Sequence, residues 1–286
     1  MSYYEGKKVL LVGGSEGIGR DTALALARAG ASVVVSARRP GPLDEVVAGM
    51  RAVAASPGPR FTAVPFDATD RAADRAAVPR VLEALDGVLD VLITNVGTAR
   101  PGYVHELDDA AFDAMVDVNY HAHVNVVRAF LPTFFAQKRG DVCMVSSALG
   151  FMSMPGYSAY SASKFAVAGF AESLRIELAP HGIRVMLFYP GTTDTPGLKQ
   201  ENASKPAAVW TMESDSAFSK THKPADVAQT LLRAVERGRF ENFPGMDVWF
   251  VWWMYKRFPG LARWMAHQEW SKALAKVAAG KQPPAA

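Results

Sequence analysis

The stretch VLLVGGSEGIGR, residues 9–20, sets four aliphatic residues directly before a cluster of glycines. Residues 9–12 read as a strand. Residues 19–29 read as a helix, with Ala23, Leu26 and Ala27 recurring at helical spacing. Gly13, Gly17 and Gly19 stand between them, spaced G-x3-G-x-G. Glycines at such a junction let a phosphate approach the backbone N–H groups at a helix N-terminus. Ser15, Glu16 and Ile18 share the turn. The spacing is not the commoner G-x-G-x-x-G, yet its place at the first strand–helix junction favours nucleotide binding over a plain Gly-rich turn.

The alternation continues along the chain. Residues 33–36, 61–66, 88–94, 141–146 and 183–189 read as further strands. Helices are expected over 109–137, bent or interrupted near Pro132, and over 158–180 and 224–237. Strands alternating with helices predict a doubly wound, parallel α/β sheet of Rossmann-like type. Ligands then bind at the carboxyl ends of the strands. We expect residues 1–240 to form one nucleotide-binding domain, with a lid and substrate segment at 191–223. Residues 241–286 form an aromatic-rich C-terminal helical extension.

Composition narrows the function classes. The net charge is only +3 and basic residues are scattered, which excludes a nucleic-acid stripe. Cys143 is the one cysteine, so neither an intrachain disulfide nor a thiolate metal cage can form. His121 and His123 are two apart and diverge on a helix, so no metal site is expected. The N-terminus lacks the apolar stretch of a signal peptide, and a cytoplasmic location is expected. Whether the chain is a homodimer or a homotetramer is left open.

The second strand ends in VVVSARRPG, with no acid before Asp44. A ribose 2′-hydroxyl reader would be Asp or Glu here. Arg38 suits a 2′-phosphate instead, which favours NADP(H) over NAD(H). Asp67, after the third strand, either accepts from an adenine amino group or caps the next helix.

GYSAYSASKF, residues 156–165, holds two tyrosines and one lysine. Tyr160 and Lys164 are four apart and share a helix face; Tyr157 has Ser161 at the matching position. Only Tyr160 has an ammonium beside it on this helix. A tyrosine has an ordinary pKa of about 10, and a nearby ammonium is expected to lower it.

These motifs, together with Thr94-Asn95-Val96-Gly97, Asn119, Ser147 and PGTTDT at 190–195, resemble the short-chain dehydrogenase/reductases over about residues 5–240. The resemblance implies a catalytic tetrad of Asn119, Ser147, Tyr160 and Lys164. Tyr160 would protonate a carbonyl oxygen, Ser147 would hydrogen-bond it, and Asn119 would position a water relaying protons to Lys164. Lys164 would also hold the nicotinamide ribose. Cofactor contacts would extend to Asn95, Gly97, Pro190, Gly191, Thr193 and Thr195. Val12 stands where the family has Thr, and Thr94 and Val96 depart from Asn-Asn-Ala-Gly; one side-chain hydrogen bond is lost at Val12.

PGTTDTPGLKQENASKP, residues 190–206, is similar to the 3-ketodihydrosphingosine reductases of sphingolipid synthesis. This implies NADPH-dependent reduction of a long-chain β-keto amine. Rival readings are a reductase of another apolar ketone, such as a 3-oxoacyl thioester or a steroid, and a non-catalytic NADP-binding regulator. Phe151, Met152, Met154, Pro155, Leu198, Val209, Trp210 and Met212 are candidates for an apolar slot. Five of the six tryptophans fall within 249–270. The apolar run 248–255 would be roughly 12 Å long as a helix, short of the ~30 Å bilayer core. Trp and Tyr beside Lys256 and Arg257 suit either peripheral membrane contact through 248–270 or a helix packed on the body or at a subunit interface; the lipid-like substrate tips the reading to the membrane surface.

Overall fold

The computed structural model describes residues 2–215 and 220–280. Residues 216–219 of the expected lid and the 281–286 tail lie outside them.

Seven strands form one sheet: β1 (Lys8–Val12), β2 (Ser32–Ser36), β3 (Phe61–Ala63), β4 (Val91–Thr94), β5 (Gly140–Val145), β6 (Ile183–Phe188) and β7 (Glu241–Asn242). Their order is β3-β2-β1-β4-β5-β6-β7, with every pairing parallel. The helices in the first half are α1 (Gly17–Arg28), α2 (Pro40–Val53), α3 (Arg71–Ala84), α4 (Asp109–Val116) and α5 (Ala122–Gln137). Then come α6 (Ser158–Leu178), α7 (Pro196–Ser204), α8 (Ala207–Asp215), α9 (Pro224–Arg237), α10 (Met246–Arg257) and α11 (Pro259–Ala278).

Successive strand residues face opposite sides. Val9 and Leu11 of β1 join a core with α1, α2 and α9. Leu10 and Val12 join a second core with α3, α5 and α6. Both faces are covered, which is why the strands read as unbroken apolar runs. Each fully buried Val or Leu contributes about 1.5–3 kcal/mol. One doubly wound domain results, with α10 and α11 as its C-terminal helices; α11 lies against α8.

Several boundaries differ from expectation. β3 stops at Ala63 because Pro65 has no N–H to continue the ladder. β4 begins only at Val91 because the Leu89 backbone is held by the Gln137 side chain, at 2.9 and 2.8 Å. The helix expected over 109–137 is not divided at Pro132, which lies inside α5. It is divided by a π-helical turn, Asp117–His121. That wide turn buries the Asn119 side chain completely. β7 was not legible in the sequence at all.

Candidate active site

The sheet adds β2 and β3 on one side of β1, and β4 to β7 on the other. This is the topological switch point, where open α/β sheets bind ligands. Its two strand ends are joined closely. Asn95 donates from its backbone N–H to Val12 at 2.8 Å, and from Nδ2 to the Gly13 carbonyl at 3.1 Å. Gly13 has φ +82°, and a Cβ there would lie 2.4 Å from the Asn95 carbonyl oxygen. Glycine is therefore required.

A cavity of about 880 Å³ opens from this point. Ser15, Glu16, Gly17, Ile18, Arg38 and Asp67 line one end; Asn95, Gly97, Ser147, Tyr160 and Lys164 line its middle. Pro190, Gly191, Thr193 and Thr195 close over it, Thr195 also capping α7. Two expected residues stand behind the wall. Gly19 packs on the Gly13 carbonyl, and Asn119 lies beyond Gly97.

At the nucleotide end, Arg39 ion-pairs with Glu16. Arg38 is exposed and has no ion-pair partner among the described residues. Asp67 does not cap α3, which is capped by Asp70 through Ala72 N–H at 2.8 Å. Asp67 instead accepts from the backbone N–H and the hydroxyl of Thr69, at 3.0 and 2.8 Å.

In the middle of the cavity, β5 ends so that Ser147 reaches Tyr160 on α6. The nearby Ser146 turns away and donates to the Lys164 carbonyl at 3.0 Å. Lys164 Nζ lies 5.8 Å from the Tyr160 ring centroid and 3.4 Å from the Val145 carbonyl oxygen. Asn119 accepts from Thr98 N–H at 2.7 Å and donates to the Thr98 carbonyl at 2.9 Å and to Ser163 at 3.0 Å. Its side chain thus holds the loop after β4 onto α6.

The electrostatics differ from a simple ammonium-lowered phenol. Burial pushes the Tyr160 phenol above the usual tyrosine range; the Ser147 hydroxyl pulls it back, and the Glu201 charge adds to the rise. Burial lowers Lys164 to about 7. Tyr160 is therefore a protonated phenol at neutral pH, the form that can give a proton to a carbonyl oxygen. His121 pairs with Asp117 at the surface, while His123 is buried between Thr94 and the Val96 carbonyl.

Tyr157 has a cationic neighbour that the helix pattern could not reveal. Lys205, from the segment between α7 and α8, sits 5.8 Å from its ring centroid. The Tyr157 hydroxyl donates to Glu201. The apolar slot divides likewise. Met152, Met154, Leu198 and Met212 line the cavity, but Pro155 does not. Phe151 packs on Tyr189, Phe243 and Tyr255, Val209 is wholly buried, and Trp210 lies over Lys205. Phe250, Val251, Met254, Tyr255 and Met265 of α10 and α11 supply wall that sequence reasoning did not assign.

The family model described as short chain dehydrogenase matches residues 7–206. The chain belongs to this family. It is an oxidoreductase acting between CH–OH and C=O groups. A Mus musculus 3-ketodihydrosphingosine reductase is 30% identical over 85% of this chain and 72% of its own. A Danio rerio 3-dehydrosphinganine reductase is 32% identical over the same shares. The oxidoreductase UcpA of Escherichia coli K12 is 35% identical over 74% of this chain and 80% of its own. A Sinorhizobium meliloti 1021 protein, provisionally assigned as a short-chain alcohol dehydrogenase, superposes with a TM-score of 0.75 at 25% identity. It covers 86% of this short-chain dehydrogenase, which covers 97% of it.

The family's cofactor is a nicotinamide dinucleotide, and the residues present fit one. The Gly13 turn leaves no room for a side chain, and the α1 N-terminus faces the cavity. When bound, the nicotinamide supplies or accepts hydride.

Proposed function

We propose that this short-chain dehydrogenase uses NADPH to reduce a long-chain 3-keto lipid, with 3-ketodihydrosphingosine the best-fitting substrate. The observation carrying this reading is the joining of two environments in one cavity. Ser147, Tyr160 and Lys164 sit beside a wall of Met152, Met154, Met212, Met254 and Phe250. A polar reacting head and an apolar chain can be held together there. The relatives named for 3-ketodihydrosphingosine support the same substrate.

Reduction would follow from the geometry. Ser147 donates to the carbonyl oxygen and fixes its position. Tyr160 transfers its phenolic proton to that oxygen as hydride reaches the carbon. Lys164, held at the floor by Val145, sets the field around the phenol. Arg38, the guanidinium left without an ion pair, supports preference for a 2′-phosphate. The exposed face of α10 and α11 would meet an anionic lipid surface, since the same helices line the cavity.

The test is a panel of ketones with purified protein and NADPH, the products identified by mass. Steady oxidation of NADPH with 3-ketodihydrosphingosine and formation of the alcohol is the expected result. Turnover of only steroids or 3-oxoacyl thioesters would overturn the substrate, and no turnover of any ketone would leave a cofactor-binding regulator.

A further inference from the structure

One group in the cavity has no part in the chemistry just described. Glu201, on α7, lines the wall, and its charge acts on Tyr160. It therefore lies within electrostatic reach of the reacting carbonyl. Tyr157, which precedes the helix that carries Tyr160, donates to it. Lys205 lies 3.5 Å away, but its ammonium donates to Glu213 and its side chain is 1% exposed. Two carboxylates thus share one ammonium, leaving one negative charge over. A second carboxylate reaches the cavity independently from α11. Glu269 lines it and has no ion-pair partner among the described residues.

Burial raises the pKa of both Glu201 and Glu269. Such carboxylates are costly to ionise until a cation arrives. Lys220 also lines the cavity and Lys272 acts on Glu269, but neither forms an ion pair with Glu201 among the described residues. Arg38 and Arg39 lie at the nucleotide end, and Lys164 sits at the floor beneath Val145. A neutral ketone would leave the surplus charge uncompensated.

We propose that Glu201 recognises an ammonium carried on the carbon next to the reacting carbonyl. The inference rests on the reductase reading above and assigns the residue that recognises the amine of such a substrate. Ser147 and Tyr160 hold the carbonyl oxygen, and Glu201 receives the adjacent ammonium. The two contacts together fix which face of the carbonyl is offered. Tyr157 orients the carboxylate, and Lys205 with Glu213 anchors the lid segment that carries it. Glu201 is thus a specificity residue, and Tyr157 a positioning residue.

The test compares two ketones of equal chain length, one bearing the adjacent amine and one lacking it. Wild type should favour the amino ketone in kcat/KM by about tenfold or more, the value of one charge-assisted hydrogen bond. Glu201→Gln should erase most of that preference, chiefly through KM. Tyr157→Phe keeps the carboxylate but loses its orienting bond, and should reduce the preference less than Glu201→Gln does. Equal use of both ketones by wild type, or an undiminished preference in Glu201→Gln, would overturn the inference while leaving the reductase reading intact. Reduction of neither ketone would remove both. If Glu201→Gln does not fold, wild type decides alone. A long-chain primary amine should then inhibit at least tenfold better than the alcohol of equal length, and equal inhibition would overturn the proposal.

Discussion

Gly97 lies so close to Lys164 that a methyl group on it would sit 3.1 Å from Nζ. The same methyl would be 3.4 Å from Asn119 Oδ1. One glycine therefore separates the Lys164 amine from the amide that fixes the loop after β4. Gly97→Ala should displace Lys164 by a few tenths of an ångström without disturbing the sheet. We expect kcat to fall about tenfold or more, because misplacement on this scale is costly at a reacting centre. A melting temperature close to wild type would confirm that the loss is local. Unchanged kcat would show that the Lys164 position is not critical.

Tyr160→Phe removes the proposed proton donor and little else. General acid catalysis contributes about 10²–10⁴-fold, so kcat should fall by that order while NADPH binding persists. Tyr157→Phe loses only its bond to Glu201 and should be much milder on a ketone without an amine. Fluorescence titration with NADPH and steady-state rates separate the two. A Tyr160→Phe enzyme that kept most of its kcat would need a different acid.

What spacing alone could bring together was short-range. The glycine turn lies within one junction, and Tyr160 and Lys164 are one helical turn apart, so spacing alone brought them together. Long-range relations were hidden. The Glu201–Tyr157–Lys205–Glu213 group draws on the turn before α6, on α7, on α8 and on the segment between α7 and α8. The π-helical turn at 117–121 was missed because Pro132 is the stronger local signal. Only the tertiary bonds of Asn119 to Thr98 and Ser163 reveal why the helix widens where it does. In α10 apolar residues stand on every side, so no periodicity distinguished inward from outward tryptophans.

Arg38→Asp should weaken NADPH and relatively favour NADH. Arg39 is engaged by Glu16, so it cannot simply replace Arg38. A charge-assisted contact to phosphate is worth about 1.5–3 kcal/mol, or roughly tenfold or more in KM. Kinetics with both cofactors give the ratio directly. An unmoved NADPH/NADH preference would assign the 2′-phosphate to another residue.

Asp74 makes stability depend on pH. It is 1% exposed, and neither carboxylate oxygen has a hydrogen-bond partner. Burial, with Asp70 and Asp67 nearby, raises its pKa from 3.8 to about 7. Below the lower value both folded and unfolded chains hold the proton. Between the two values the unfolded chain ionises while the folded one resists, so stability falls as pH rises, and above the upper value the loss is complete. Asp74→Asn should therefore melt higher than wild type at pH 8, by about 2–4 °C for each kcal/mol recovered, and show little advantage at pH 4. Parallel melting curves across that range would refute the assignment.

The tryptophans of the C-terminal helices divide into two groups, and the division decides how a membrane test must be built. Trp252 donates to Glu241 at 3.0 Å and packs on Phe243, while Trp270 packs on Tyr103. These hold α10 and α11 to the body, so Trp252→Ser should lower stability. Trp249, Leu261 and Trp264 are exposed on the same two helices, and Phe258 at the junction between them. Lys256, Arg257 and Arg263 are exposed beside them. Among the described residues no helix is long and apolar enough to cross a membrane. Apolar side chains flanked by basic ones suit insertion into the headgroup region, each charge adding about 1 kcal/mol near an anionic surface. Trp249→Ser with Trp264→Ser should reduce co-sedimentation with anionic vesicles and raise KM for vesicle-presented substrate. Neither residue lines the cavity, so kcat for a short soluble ketone and the melting temperature should hold. Wild type remaining in the supernatant at low salt would refute membrane docking, and loss of folding in the double variant would make these tryptophans structural.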